Sequence, residues 1–533
     1  MDCNTSPFSK IDKAQRSTSP ANPHYAKSIA ILITVEQLKQ QETTGDEFEL
    51  PELRSFIDGS VETPLESRGN FLRNPNTLEP LQEQLASSEE QVALALSAAD
   101  TAHQQAEWES TPMLARAEIL ENIADRLAAP EVCERIARID AITTGAVIEV
   151  TRGMAQLAPF SFRAAAQYLR EGHLEKRLPG KVGEVEYLRR PWGPALLVNP
   201  WNGPTAIGSH KIASALAAGA PCIVKPSEWA PHSAIMMADV IQQMQLPRGA
   251  FQLICGSRIT GSLMINDPRV KSISFTGGTA GGRAISKACA DSFTPMQLEL
   301  GGNNPMVVFA DADLDKVARG VVFGLTNLNA QWCRALGRLI VQRSVKEELL
   351  EKIRSAFADV VLGDSLDPAS TMGPQIHAQQ FASINSEIER LESLGGKVIR
   401  NSPMPELDGY FIPPTLIDGC APEHTREEIF GPVAAVHCFD TEDEALQLAN
   451  GTDYGLAAYV YSSDEQAAFA FSRKLRTGGV KINGYNLLSL SPEAPRSAWG
   501  LSGLGEEGTR HTIEFFTGAR VIGPAPDPAG RGS

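Results

Sequence analysis

With 533 residues, 42% hydrophobic and 21% charged, the chain is long enough for about three or four domains and needs no disulfide staples to hold its cores. Its 48 Lys and Arg against 64 Asp and Glu leave a net charge of −16, and the scattered basic residues argue against nucleic acid as the main partner. The longest clean apolar run, Ile29 to Val35, is far short of the ~20 residues that span a bilayer, and the Met-Asp-Cys-Asn start has no basic region and long apolar stretch of a secretory signal.

The eight cysteines, Cys3, Cys133, Cys222, Cys255, Cys289, Cys333, Cys420 and Cys438, form no C-x-x-C pair. Their wide spacing in a long acidic chain fits reduced thiols and a cytoplasmic location. The nine histidines include no H-E-x-x-H, so no metal site is indicated.

Residues 1–52 read as an N-terminal extension. They mix Ser, Thr, Pro, Gln and Lys without periodicity, which favours disorder, although Ile29 to Val35 can also be a docking strand. From Leu53 the chain reads as globular. Ser88-Glu89-Glu90-Gln91 is a capping box opening a helix through Ala99. Met113, Ala117, Leu120, Ala124 and Leu127 share one face of a second helix. Glu171 to Arg190 is charged and turn-rich, a projecting β-excursion with a turn at Pro179-Gly180.

The middle alternates. Strands are predicted over Ala195–Asn199, Cys222–Lys225, Phe251–Cys255 and Lys271–Phe275, with helices over Ile207–Ala218 and His232–Met244. Such alternation means right-handed crossovers and a parallel sheet covered on both faces, where a dinucleotide often binds at the carboxyl ends of the strands. A second run follows: strand Met306–Phe309, helix Leu314–Thr326, strand Arg338–Gln342, helix Val345–Phe357, then strands near Pro432–Phe439 and Ala457–Tyr461. The Pro- and Gly-rich end, 524–533, reads as a tail.

Four short segments can carry chemistry. Cys333, in Asn329-Ala330-Gln331-Trp332-Cys333-Arg334, lies between a helix and a strand, where a thiol can face a cleft; taken alone it reads as readily as an inert buried thiol. Glu299 sits among leucines before Gly301-Gly302, and burial there would raise its pKa toward that of a general base; the alternative is a solvated edge-strand Glu. Asn202, in Asn199-Pro200-Trp201-Asn202-Gly203, follows a parallel strand and can donate to an oxyanion, or can simply make a turn before Gly. Phe275-Thr276-Gly277-Gly278-Thr279-Ala280-Gly281-Gly282 opens a helix whose N–H groups can face a pyrophosphate, or is a glycine-rich turn.

In order, wording and spacing, these segments resemble the aldehyde dehydrogenase superfamily. Glu299 and Cys333 are 34 residues apart, as in its hydrolytic members. Lys225-Pro226-Ser227-Glu228, Glu427-Glu428-Ile429-Phe430-Gly431-Pro432-Val433, Asp453-Tyr454-Gly455-Leu456-Ala457 and Ser502-Gly503-Leu504-Gly505-Glu506-Glu507-Gly508 add to the match, which covers roughly 53–523. Three positions depart from the usual pattern: Ala330 and Gly278, where Gly and Ser are common, and Glu506, where Arg is frequent.

The resemblance implies an α/β fold with a Rossmann-like dinucleotide-binding domain (53–172 and 191–300), a second α/β catalytic domain (301–514) and a β-hairpin oligomerisation arm (173–190 with 515–523). It implies Cys333 as nucleophile, Asn202 as oxyanion donor, Glu299 as the base for thioester hydrolysis and Lys211 as a proton relay. It implies NAD as cofactor, with NADP possible, held by Pro200, Trp201, Lys225, Ser227, Glu228, Gly277, Gly278, Gly282, Leu300, Glu428 and Phe430. Glu228 on the adenosine ribose implies a preference for NAD. A homodimer or homotetramer is implied. Substrate-pocket positions are Gly203, Ile207, His210, Trp332 and Trp499. Gly203 and His210 remove aromatic bulk found in relatives that oxidise small aldehydes, so the expected substrate is a bulky, aromatic or medium/long-chain aldehyde. Two alternatives stand: a CoA-acylating relative, against which Glu299 argues, and a catalytically silent scaffold on the same fold.

Overall fold

In the computed structural model, residues 49–486 and 490–525 are described. The expectations for residues 1–48, including the docking strand at Ile29 to Val35, and for most of the tail lie outside them. Among the described residues no helix is long and apolar enough to cross a membrane.

An eight-stranded sheet runs Ser60–Glu62, Ser55–Ile57, Phe251–Leu253, Cys222–Lys225, Ala195–Val198, Ser272–Thr276, Met296–Glu299 and Gly503–Leu504. Its five central strands are parallel. They are apolar and almost wholly buried, as strands covered on both faces must be. The order reverses beside Ala195–Val198. From there the chain winds outward to Cys222–Lys225 and Phe251–Leu253, then returns to the other flank at Ser272–Thr276. Such a switch opens a crevice beyond the carboxyl ends of the two strands. The loops holding Asn202 and Gly277-Gly278 both leave from it.

The second sheet has seven strands, in the order Lys397–Ile399, Thr415–Asp418, Val433–Phe439, Leu336–Gln342, Asn304–Val308, Ala458–Tyr461 and Val480–Ile482. All pairs are parallel except the first. Only four residues, 300–303, separate the end of Met296–Glu299 in one sheet from the start of Asn304–Val308 in the other. Glu299 therefore ends a strand of the first sheet, while Cys333 lies just before Leu336–Gln342 of the second. A third sheet of three strands joins Glu175–Pro179, Glu184–Pro191 and Thr517–Ile522, with Gly180 N–H closing the turn on Gly183 O.

The capping box at Ser88 is present, and its helix runs Glu89–Gln105. Helix Met113–Leu127 buries the predicted face. Unforeseen were the strands Ser55–Ile57 and Ser60–Glu62 and the hairpin Glu66–Arg73 with Pro80–Ala86. The first two have three residues each, too few to show a period, and Glu66–Arg73 buries only Leu72. Gly503–Leu504 was expected in the catalytic segment but pairs with Met296–Glu299 in the first sheet, because two residues take their sheet from whichever edge lies beside them.

Candidate active site

Strand Ala195–Val198 leads through Asn199 to Asn202 into helix Pro204–Ala218. Pro204 fits the first helical turn, where no N–H is needed, and Gly219 closes the other end at φ 82°. Asn199 N–H donates to Lys225 O at 3.0 Å, tying this loop to the adjacent strand. Asn202 is half-buried and its side chain makes no hydrogen bond with the described residues. Ile207, His210 and Lys211 follow at helical spacing on one face.

Lys211 is fully buried, and its Nζ donates to Val198 O at 3.4 Å. Burial pushes its pKa down to about 8, against the carboxylates of Glu507 and Glu299. Glu299 is 6% exposed, and its Oε1 has no hydrogen-bond partner. Burial and then the charge of Glu507 push its pKa up to about 8, while Arg334, Arg496 and Lys211 oppose the rise. Glu507 goes the other way. Burial works against its charge, but Arg496, His210 and Lys211 outweigh burial and hold it below the usual range. Two neighbouring carboxyls are thus driven apart, one proton-bearing and one ionised, with an ammonium facing both.

Cys333 is partly buried. Burial raises its thiol to about 12, with Arg334 pulling the other way and Glu299, Glu428 and Glu507 adding to the rise. The resting group is a thiol and needs a base. Asn304 fixes the loop: its Nδ2 donates to Cys333 O at 2.9 Å and Ala335 O at 2.7 Å. Upstream, Leu328, Asn329 and Ala330 all have left-handed backbones, at φ 50°, 55° and 55°. Asn329 holds this bend by donating to Gly145 O and Pro374 O, each at 2.8 Å. That is where the departure at Ala330 falls: a glycine would take this conformation freely, and the alanine carries a Cβ in it.

The cofactor candidates gather at the crevice. Lys225 Nζ lies 3.3 Å from Glu228 Oε2, while Ser227 is buried beside them. Gly278 caps helix Thr279–Cys289 without a side-chain partner, and a Cβ on it would meet nothing within 4 Å. Gly277 and Gly282 are different. A Cβ on either would come within 2.6 Å of Phe275 or Leu300, so these glycines let apolar side chains pack under the turn. The helix N-terminus is left open and uncapped, which suits a pyrophosphate. Glu428 Oε1 accepts from Gly302 N–H at 2.8 Å, and burial raises its carboxyl to about 7. Trp201 and Phe430 meet edge to face at 5.4 Å, and Pro200, which precedes Trp201, is buried.

The five pocket positions fall in different surroundings. Trp332 is buried and packs with Phe323, Tyr485 and Leu328, so its indole belongs to a filled cluster. Trp499 is 50% exposed and pairs across a short ladder with Gly455. His210 is engaged with Thr512 at 2.9 Å and pushed down to about 4 by burial and by Arg496, so it is part of a polar network. Ile207 sits over Gly203, 3.5 Å from where a Cβ would be. Sequence reasoning missed Glu507 and Arg496. The tandem Glu506-Glu507 drew attention only for the missing Arg at Glu506. The antiparallel pairing Arg496↔Glu507, which brings both to the site, has no signature in the sequence.

The aldehyde dehydrogenase family matches residues 66–522. Aminoaldehyde dehydrogenase 1, peroxisomal, of Malus domestica is 34% identical over 447 residues, covering 82% of this chain and 88% of that protein. A betaine aldehyde dehydrogenase of Rhizobium etli is 32% identical over 496 residues, covering 90% and 99%. The solved betaine aldehyde dehydrogenase of Staphylococcus aureus in complex with NAD+ superposes with a TM-score of 0.83 at 30% identity, covering 89% of this chain and 94% of that one. The chain belongs to the aldehyde dehydrogenase family and is an NAD(P)-dependent aldehyde dehydrogenase.

Proposed function

We propose that the chain oxidises a small aldehyde to the carboxylic acid with NAD+, through a thioester on Cys333 that Glu299 helps hydrolyse. The observation that carries this is the set Cys333, Glu299, Lys211 and Glu507, in which Glu299 is buried, keeps an unpartnered oxygen and has its pKa raised. The bulky, aromatic or medium/long-chain substrate expected from Gly203 and His210 is set aside. Relatives are named for aminoaldehydes and betaine aldehyde, and Trp332 and His210 are committed to internal packing and hydrogen bonding.

In this reading the eight-stranded sheet is the dinucleotide-binding domain and the seven-stranded sheet the catalytic one. Lys225, Ser227 and Glu228 hold the adenosine ribose. The open turn at Gly277, Gly278 and Gly282 takes the pyrophosphate, over Leu300. Glu428, Phe430, Pro200 and Trp201 flank the nicotinamide end. Bound NAD+ supplies the acceptor for the hydride leaving the aldehyde carbon.

The chain's own groups do the rest. Cys333 Sγ bonds to the carbonyl carbon as its proton passes to the Glu299 carboxylate. The oxygen becomes an oxyanion, held by the Asn202 amide and the Cys333 backbone N–H. After oxidation a water attacks the thioester. Glu299 takes its proton, and the Cys333 thiolate leaves and is reprotonated. Lys211 and Glu507, whose charges act on Glu299, offer the Cys333 proton a way out before the water attacks, so that Glu299 is a carboxylate again when it takes the water's proton.

The three-stranded arm exposes Leu178, Val182, Val521 and Ile522, which supports docking of a second copy as a homodimer or homotetramer. Light scattering of the full chain tests it. The described cysteines are all free thiols, consistent with a reducing compartment such as the cytoplasm. The test of activity is NADH formation at 340 nm from a panel of small aldehydes, with and without CoA. Turnover without CoA is expected; turnover only with CoA would favour the acylating alternative, and none at all the silent scaffold.

A further inference from the structure

We propose that the aldehyde this chain oxidises carries an anionic group, a carboxylate, and that Arg496 is the residue that selects it. The inference rests on the aldehyde oxidation proposed above and names its substrate class.

Arg496 faces Glu507 across a two-residue antiparallel ladder, and its Nη2 donates to Glu507 Oε2 at 3.4 Å. Among the described residues this is the guanidinium's only hydrogen bond, so most of its five N–H donors are uncommitted. The Arg496 side chain is 34% exposed and that of Glu507 12%, so the guanidinium reaches from solvent to the buried cluster. Its charge acts on Glu299 and on His210, both part of the site. Arg334, next to the nucleophile, is committed by Nη1 to Leu456 O at 3.3 Å, yet its charge acts on Cys333 and Glu299.

The charges do not balance. Arg496, Arg334 and Lys211 bring three cations to the cluster. Glu507 is one carboxylate held ionised, while burial favours the neutral forms of Glu299, of Glu428, whose charge acts on Cys333, and of His210. A partly desolvated positive excess favours an anion, and a guanidinium fork suits a carboxylate. An ammonium-bearing aldehyde, of the kind for which the relatives are named, would meet like charge instead. The change at His210 fits the same picture, since it puts a polar ring hydrogen-bonded to Thr512 beside this cluster.

The test compares three aldehydes of equal length on the full chain with NAD+: 4-oxobutanoate, butanal and 4-aminobutanal. In the wild type, kcat/KM is expected to fall in that order. Arg496→Gln should lower the 4-oxobutanoate to butanal ratio about 10–100-fold, the range for one charge-assisted hydrogen bond, and Arg496→Lys should keep most of the ratio. The ratio removes any general effect on Glu507. An unchanged ratio in Arg496→Gln, or 4-aminobutanal as the best wild-type substrate, would overturn the proposal. Should Arg496→Gln fail to fold, wild-type butanal oxidation decides it: butyrate should inhibit competitively at about tenfold lower concentration than butylammonium, and the reverse order refutes the selection. No NADH from any of the three aldehydes would bring down the oxidation reading itself, and this inference with it.

Discussion

If Glu299 is the base for hydrolysis, turnover must follow its ionisation. Its carboxyl is pushed up to about 8 by burial and by Glu507, so below that pH it is protonated and cannot accept a proton. Below it most molecules carry the proton, and above it most carry the carboxylate. Hydrolysis-limited kcat should therefore rise severalfold between pH 7 and 9. The charged groups facing Glu299 are Glu507, Arg334, Arg496 and Lys211. The two guanidiniums stay charged across this range, Glu507 stays ionised, and Lys211, at about 8, titrates alongside. Control by the Cys333 thiol would look different: a group raised to about 12 gives a rise that continues past pH 9. Glu299→Gln removes the base at a cost of about 10²–10⁴ in kcat and should flatten the profile. Stopped-flow mixing with NAD+ should then show a burst of NADH, itself slower than in the wild type because Cys333 has lost the same base, followed by still slower turnover. A wild-type kcat flat from pH 6.5 to 9, or a Glu299→Gln variant that keeps the slope, would remove Glu299 from this role.

Four further outcomes are expected. Cys333→Ala should abolish turnover while NAD+ binding, followed by protein fluorescence, stays within about threefold; more than a few per cent residual activity would require another nucleophile. Lys211→Met should move the kcat midpoint to higher pH, because the ammonium lowers the Glu299 pKa; a midpoint that falls or stays fixed contradicts the geometry. At Ala330, fully buried with φ 55°, Gly should change stability by less than about 1 kcal/mol, the released strain offsetting the added chain entropy; Val should cost more than about 2 kcal/mol and reduce activity, as read by urea unfolding. NAD+ should be preferred over NADP+ in kcat/KM, with Glu228→Ala narrowing the difference; the nearby Lys225, 3.3 Å from that carboxylate, keeps the preference moderate, and equal kcat/KM in the wild type would show that Glu228 does not face the 2′-phosphate.

The sequence by itself determined the layered α/β fold and the family. Apolar runs such as Ala195–Val198 and Cys222–Lys225, separated by amphipathic helices, leave a parallel sheet as the way to bury both faces of each strand. Local chemistry was equally legible where it is written in adjacent residues: the Ser88 cap, the open glycine turn at Gly277-Gly278, and the 34-residue interval from Glu299 to Cys333. What only the tertiary structure decided is electrostatic and non-local. Glu507 lies 208 residues from Glu299, and its charge reaches that carboxyl only because Gly503–Leu504 pairs with Met296–Glu299 and Arg496 pairs with Glu507. What surrounds the pocket positions was decided in the same way. Gly203 and His210 read as lost bulk, but the space above a small residue depends on what folds over it. Here that is Ile207 on one side, and the network of Thr512, Glu507 and Arg496 around His210 on the other. Period and propensity are fixed by neighbours in the chain, whereas Coulomb interactions and packing are set by neighbours in space.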